Sequence, residues 1–293
     1  MKDAARLLGY FVATILFGAV VAPILFRAAQ WLAAHGILTT LATFDFEAFF
    51  HRALLLGALL FLWPFLHELR IRSPRDLGLA PNPHWARDMT MGFLISAVPV
   101  LCCGVVLVAL GNYTIRADVA WSALAAAALA AVVVPFIEEA LFRGLFLGVL
   151  LRGFRPFVAG LLSAGIFSIV HFLKAPDQTT TSVGWTSGFI SLAHSLDQFA
   201  DPMLVLAGFT TLFLIGAILA YARLRNRSLW LPIGLHAGWI LSNAAFNKIA
   251  HREMVNLPWL GKSLLIGIVP LCVCFISWAA LRGWLGYAGR RDT

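Results

Sequence analysis

Eight stretches of the chain run apolar for about twenty residues each, the length a bilayer-crossing helix needs, and polar residues gather between them. This pattern predicts spans at about 7–32, 51–69, 89–110, 121–150, 157–173, 203–221, 229–249 and 264–281. Composition leads the same way. Hydrophobic residues make up 60% of the chain, charged ones 12%, and the mean hydropathy is +0.85. No soluble fold covers that much apolar surface, so the expected class is all-α, a polytopic integral membrane protein with about eight transmembrane helices.

Charge sets the expected orientation, because loops on the cytoplasmic side carry the excess of Lys and Arg. With both termini cytoplasmic, the inner side holds Lys2, Arg6, Arg70, Arg72, Arg75, Arg87, Arg143, Arg152, Arg155, Arg223, Arg225, Arg227, Arg282, Arg290 and Arg291. The outer side holds only Arg27, Arg52, Arg116, Lys174, Lys248, Arg252 and Lys262. The net charge of +8 is therefore an orientation signal and a match to anionic membrane lipid, and it gives no ground for a nucleic-acid partner. The first span is longer than the ~7 to 15 residues of a signal-peptide core, so it is expected to be retained. Cys102, Cys103, Cys272 and Cys274 all fall within predicted spans, without disulfide or zinc spacing, and read as packing residues.

Two connections stand out. Positions 70–88 are basic, carry three prolines and read as a cytoplasmic surface loop. Positions 174–202 are polar and long for a plain connector; they include Thr179, Thr180, Thr181, Gly184, Trp185 and Gly188, and such loops serve either as ordinary connectors or as lids and binding elements.

Chemistry is concentrated in the C-terminal half. Glu138 and Glu139 sit side by side in a run whose only other charge is Arg143. An ionisable group at membrane depth costs at least about 2.5 to 3.5 kcal/mol, so it persists mainly where it faces a packed interior or a watered cavity. Glu139 and Arg143 are four apart, the spacing of a helical ion pair. Glu138, about 100° around the helix, is left as the freer base. The fifth predicted span carries His171 near its outer end, four residues after Phe167. On the seventh, His236, Asn243 and Asn247 share one stripe, next to Gly234 and Gly238, which permit close helix approach. At ~1.5 Å per residue, Glu138, His171 and Asn243 are expected roughly 20 Å from the inner boundary, and His236 roughly 10 Å deeper toward the cytoplasm.

These residues resemble a known family. Glu138, Glu139 and Arg143 match its EExxxR motif, Phe167 and His171 match FxxxH, and His236 matches the histidine of its third motif. The family is the CAAX-protease and bacteriocin-processing family, also called the type II CAAX prenyl protease or abortive-infection family, of intramembrane endopeptidases. One position departs from it: the third motif usually reads HxxxN, and here the fourth residue after His236 is Ile240, with Asn243 one turn further along the same stripe.

The resemblance implies an intramembrane glutamic endopeptidase of the bacterial inner membrane. Its substrate would be a peptide or protein, lipid-modified or not. Glu138, assisted by His171, would take a proton from water and return it to the leaving amine. Glu139 and Arg143 would support Glu138, and His236 with Asn243 would donate to the oxyanion. No cofactor is implied. The mechanistic alternative is a zinc endopeptidase with Glu138, His171 and His236 as ligands, and a different class also stays open: a non-catalytic scaffold, an immunity protein or a proton-coupled transporter of the same fold. The expected organisation is a single integral domain over 1–293, with N-terminal helices at 1–120, a catalytic core with the three motifs at 121–250, and a C-terminal helix and tail at 251–293.

Overall fold

A computed structural model describes residues 2–77, 82–172, 182–254, 259–261 and 267–288. The described helices are α1 (Lys2–Ala34), α2 (Phe46–Glu68), α3 (Trp85–Ala109), α4 (Trp121–Leu151), α5 (Pro156–Phe172), α6 (Ser187–Asp197), α7 (Val205–Asn226), α8 (Trp230–Ile249) and α9 (Ile268–Ala288). A small antiparallel ribbon pairs β1 (Tyr113–Ile115) with β2 (Ala250–Arg252). Among the described residues, six helices are long and apolar enough to cross a membrane: α1, α2, α3, α4, α7 and α9. The other two predicted stretches are also helical. α5 is shorter, with 17 residues, and α8 has 20 residues but its stripe of His236, Asn243 and Asn247 dilutes its apolar character.

The chain gathers into two compact units, Met1–Arg72 with Val170–Val205, and Ser73–Ile169 with Leu206–Thr293. In the first, α1 and α2 pack antiparallel. Arg6 pairs with Glu68, Tyr10 donates to the Ala58 carbonyl, and Phe26 meets Phe46 edge-on. α6 lies on α1 so closely that a Cβ at Gly188 would strike the Ala19 carbonyl. The polar loop expected between the fifth and sixth spans thus contains a helix. Its Ser187, Ser191 and Ser195, four apart, form a buried stripe, while Phe189, Ile190 and Leu196 face outward. Its apolar residues do not form the long run that marks a span, which is why the sequence pattern hides it. Glu47, at a helix start in the sequence, is fully buried and takes a hydrogen bond of 3.5 Å from Ser191. Thr179, Thr180 and Thr181, and Lys174, Lys262, Arg290 and Arg291 of the charge pattern, lie outside the described residues.

The second unit is built on the pairing of α3 with α8. Gly92 of α3 and Gly234 and Gly238 of α8 lie against each other's backbones, so a Cβ at Gly234 would meet the Met89 carbonyl. Small residues let apolar helices reach van der Waals contact where lipid supplies no hydrophobic drive between them. Ser96 faces this seam and returns its hydroxyl to the carbonyls of Gly92 and Phe93 at 3.1 and 3.0 Å. At the end of the unit remote from the ribbon, buried Asp88 accepts from Asn82 at 3.0 Å and Asn226 at 2.9 Å, tying the loop before α3 to the end of α7. At the ribbon end, Tyr113 is buried against Phe246. Burial pushes the Tyr113 phenol above its ordinary value, and the Arg252 guanidinium partly offsets this. The four cysteines are free, with Cys274 buried in α9.

Gly234→Ala is expected to lower the melting temperature of the detergent-solubilised protein, because its Cβ meets fixed backbone and overpacking costs about 1 to 3 kcal/mol. Gly148→Ala on α4, where an added Cβ meets nothing within 4 Å, is the control and should melt no lower than the parent.

Candidate active site

The site begins where α4 widens. After Glu139 the helix leaves α geometry for a π segment, Ala140–Phe146, before closing again over Leu147–Leu151. A π turn redirects side chains and leaves backbone groups without their usual partners, and such turns recur at functional sites. Here Ser163 of α5 donates to the Phe142 carbonyl at 3.2 Å. Gly144 lets the short turn Pro74–Leu77 approach, its would-be Cβ lying 2.5 Å from the Leu77 carbonyl.

Arg143 projects from this segment and is fully buried. Its Nη1 donates to Glu139 Oε1 at 2.9 Å and its Nη2 to the Gly216 carbonyl of α7 at 3.2 Å. The guanidinium also lies over the Phe167 ring, 4.4 Å from its centroid. Glu139 is equally buried, and its Oε1 sits 2.8 Å from Nδ1 of His236. An ionised carboxylate only accepts, so Nδ1 carries the proton in this contact. The other ring nitrogen, Nε2, is 3.8 Å from Oε2 of Glu138, beyond a direct hydrogen bond. The neighbouring carboxylates thus differ in access: the Glu138 side chain keeps 24% of its surface exposed, the Glu139 side chain none.

Glu138, Glu139, Arg143 and His236 are brought together, with Phe167 edge-on to His236 at 5.9 Å between centroids. His236 is not 10 Å deeper than Glu138, as equal span lengths suggested. α8 starts inside protein, with Leu229 and Leu231 fully buried, so its first residue is no marker of the membrane boundary. Its imidazole is bound to Glu139, a partner that spacing alone did not suggest. His171 is half-buried in the last turn of α5 and falls in the first unit. Asn243 lies seven residues beyond His236 on α8, and its Oδ1 and carbonyl accept from Asn247 Nδ2 at 3.1 and 2.8 Å. Ile240, the departure from the usual motif, is half-buried on the turn between. Sequence reasoning missed Ser163 and Gly216, whose contributions, a hydroxyl and a carbonyl, carry no motif. Among the described residues no three His, Cys, Asp or Glu side chains gather as metal ligands do, so the alternative of a zinc site gains no support from the geometry.

Residues 120–242 match the family model of the type II CAAX prenyl endopeptidase Rce1-like family. This segment is an Rce1-like domain. It contains Glu138, Glu139, Arg143, Phe167, His171 and His236, and it ends one residue before Asn243. No curated protein and no solved structure matches the chain. The family of this domain is one of CAAX-protease-like endopeptidases acting on peptide or protein, and with its apolar helices the chain is an integral membrane protein.

Breaking a buried pair strands the remaining charge at a cost of about 3 to 5 kcal/mol. Arg143→Ala and Glu139→Gln are therefore expected to lower the melting temperature well below that of Glu138→Gln, whose carboxylate is partly exposed. Equal melting of the three variants, measured in one detergent, would remove the structural role given to the pair.

Proposed function

We propose that the chain is an intramembrane endopeptidase that hydrolyses a peptide bond with a glutamate-activated water. The observation that carries this reading is the unequal treatment of two adjacent carboxylates: Glu139 is committed to Arg143 and His236, while Glu138 stays accessible 3.8 Å from Nε2 of the same imidazole. Glu138 is the general base. It takes a proton from the attacking water and returns it to the leaving amine, with His171 assisting.

His236 serves the oxyanion through Nε2. Because Nδ1 already gives its proton to Glu139, donation from Nε2 as well requires the doubly protonated ring. Glu139 holds the orientation of His236 and Arg143 holds Glu139, which extends the supporting role the sequence implied for them. Asn243 adds a second donor from the next turns of α8, about 10 Å along the axis from His236. Its Oδ1 is held by Asn247, which fixes the amide and leaves Nδ2 to donate.

The protein sits in the bacterial inner membrane as eight spans, α5 and α8 included, with both termini cytoplasmic. Residues 121–250 form the catalytic core within one integral domain. Substrates are peptides or proteins, lipid-modified ones included.

In reconstituted protein, Glu138→Gln should abolish cleavage of a membrane-presented peptide library while leaving folding near the parent. Turnover retained in that variant would eliminate the general-base assignment. Asn243→Ala should lower turnover by about 10² to 10³ with little change in substrate binding, as loss of one oxyanion donor does. If Asn243 only ties helices together, its removal costs about 0.6 kcal/mol of stability and leaves activity intact.

A further inference from the structure

On the flank of the second unit, α5, α7 and α9 enclose a groove of about 430 Å³. That volume is within the range of small-molecule sites. Phe157, Leu161, Leu214, Ala217, Ile218 and Phe275 give it apolar walls, and among its lining side chains only Tyr221, Cys274 and Trp278 carry a polar atom. Nothing in the proposed hydrolysis uses this groove.

Its charge is placed at one end. Tyr221 and Trp278 line the groove, and each supports an arginine one turn further along its helix. Arg225 stands over Tyr221 at 5.9 Å, and Arg282 over Trp278 at 4.9 Å. α7 and α9 run in the same direction, because α8 returns between them from the three-residue turn after α7 to the ribbon beside the start of α9. Both arginines therefore lie at the end remote from the ribbon, and both are exposed. Arg155, just ahead of α5, is exposed beside Phe157 on that same rim. Cation–π stacking holds each guanidinium over its ring while leaving its N–H edge to an anion.

We propose that this groove is a site for one anionic phospholipid of the bilayer, an acyl chain lying between α5, α7 and α9 and the phosphate held by Arg225 and Arg282. An apolar slot continuous with a pair of guanidinium groups matches the two halves of such a lipid. A zwitterionic lipid satisfies the slot but presents its own cation to the arginines.

The test is native mass spectrometry of the delipidated full-length protein, titrated with phosphatidylglycerol and, separately, phosphatidylcholine of identical chains. The parent should retain phosphatidylglycerol preferentially. Removing each arginine should reduce that preference by about fivefold, the worth of one basic residue near an anionic surface. Ala217→Phe, or Leu214→Trp if the first variant folds poorly, fills the groove and should abolish retention of phosphatidylglycerol with the arginines intact. Equal binding of the two lipids by the parent, an unchanged preference in Arg225→Ala/Arg282→Ala, or parent-like retention in a folded groove-filled variant would each overturn the site. Peptidase activity is not the readout, so the result stands apart from the fate of the proposed reaction.

Discussion

A guanidinium buried in a membrane protein has neither water nor lipid to solvate it, and the second unit is organised around meeting that demand for Arg143. A carboxylate one turn earlier on the same helix, a carbonyl on α7 and the face of an aromatic ring on α5 surround it. Those partners come from three helices, so the contacts of both terminal nitrogens and of the guanidinium face form together only when α4, α5 and α7 are docked. The π segment around it is part of the same solution: it sets the side chain into the bundle, and Ser163 takes up the carbonyl of Phe142.

From that anchor follows the asymmetry of the two glutamates. Neighbouring residues on a helix point about 100° apart, so if one faces the arginine the other cannot. Glu139 is drawn into the interior and there accepts from both Arg143 and His236. Glu138 is turned toward an accessible position, close to the imidazole yet not bonded to it. One carboxylate is thus fixed to a histidine while its neighbour keeps part of its surface exposed, and the same buried cation sets both arrangements.

Close helix approach is the second requirement. His236 reaches Glu139 because α8 lies deep in the unit against α3, through glycines that allow backbone contact at Gly92, Gly234 and Gly238. A wider seam would hold the imidazole away from the carboxylate. Asp88 and the Tyr113–Phe246 contact secure the two ends of this arrangement, one beside the loop before α3 and one beside the ribbon.

The sequence by itself determined the class of protein, the approximate positions of eight of the nine described helices and the Glu139–Arg143 pair, because each depends on local properties: the apolar length that a bilayer demands and the i, i+4 geometry of a helix. It also marked Gly234 and Gly238 of the seam, though not Gly92 facing them, and every residue of the Glu138–Glu139–Arg143–His236 cluster. The short α6 stayed hidden, since a serine stripe has no apolar signature until α1 covers it, and burial of Glu47 followed only from the same covering. The contact between Glu139 and His236 was equally illegible, because residues 97 apart in the chain meet only through helix packing and the helix start that would have set their depth is buried. Local periodicity is encoded residue by residue, whereas which side chain satisfies a buried charge is decided by how separate helices dock.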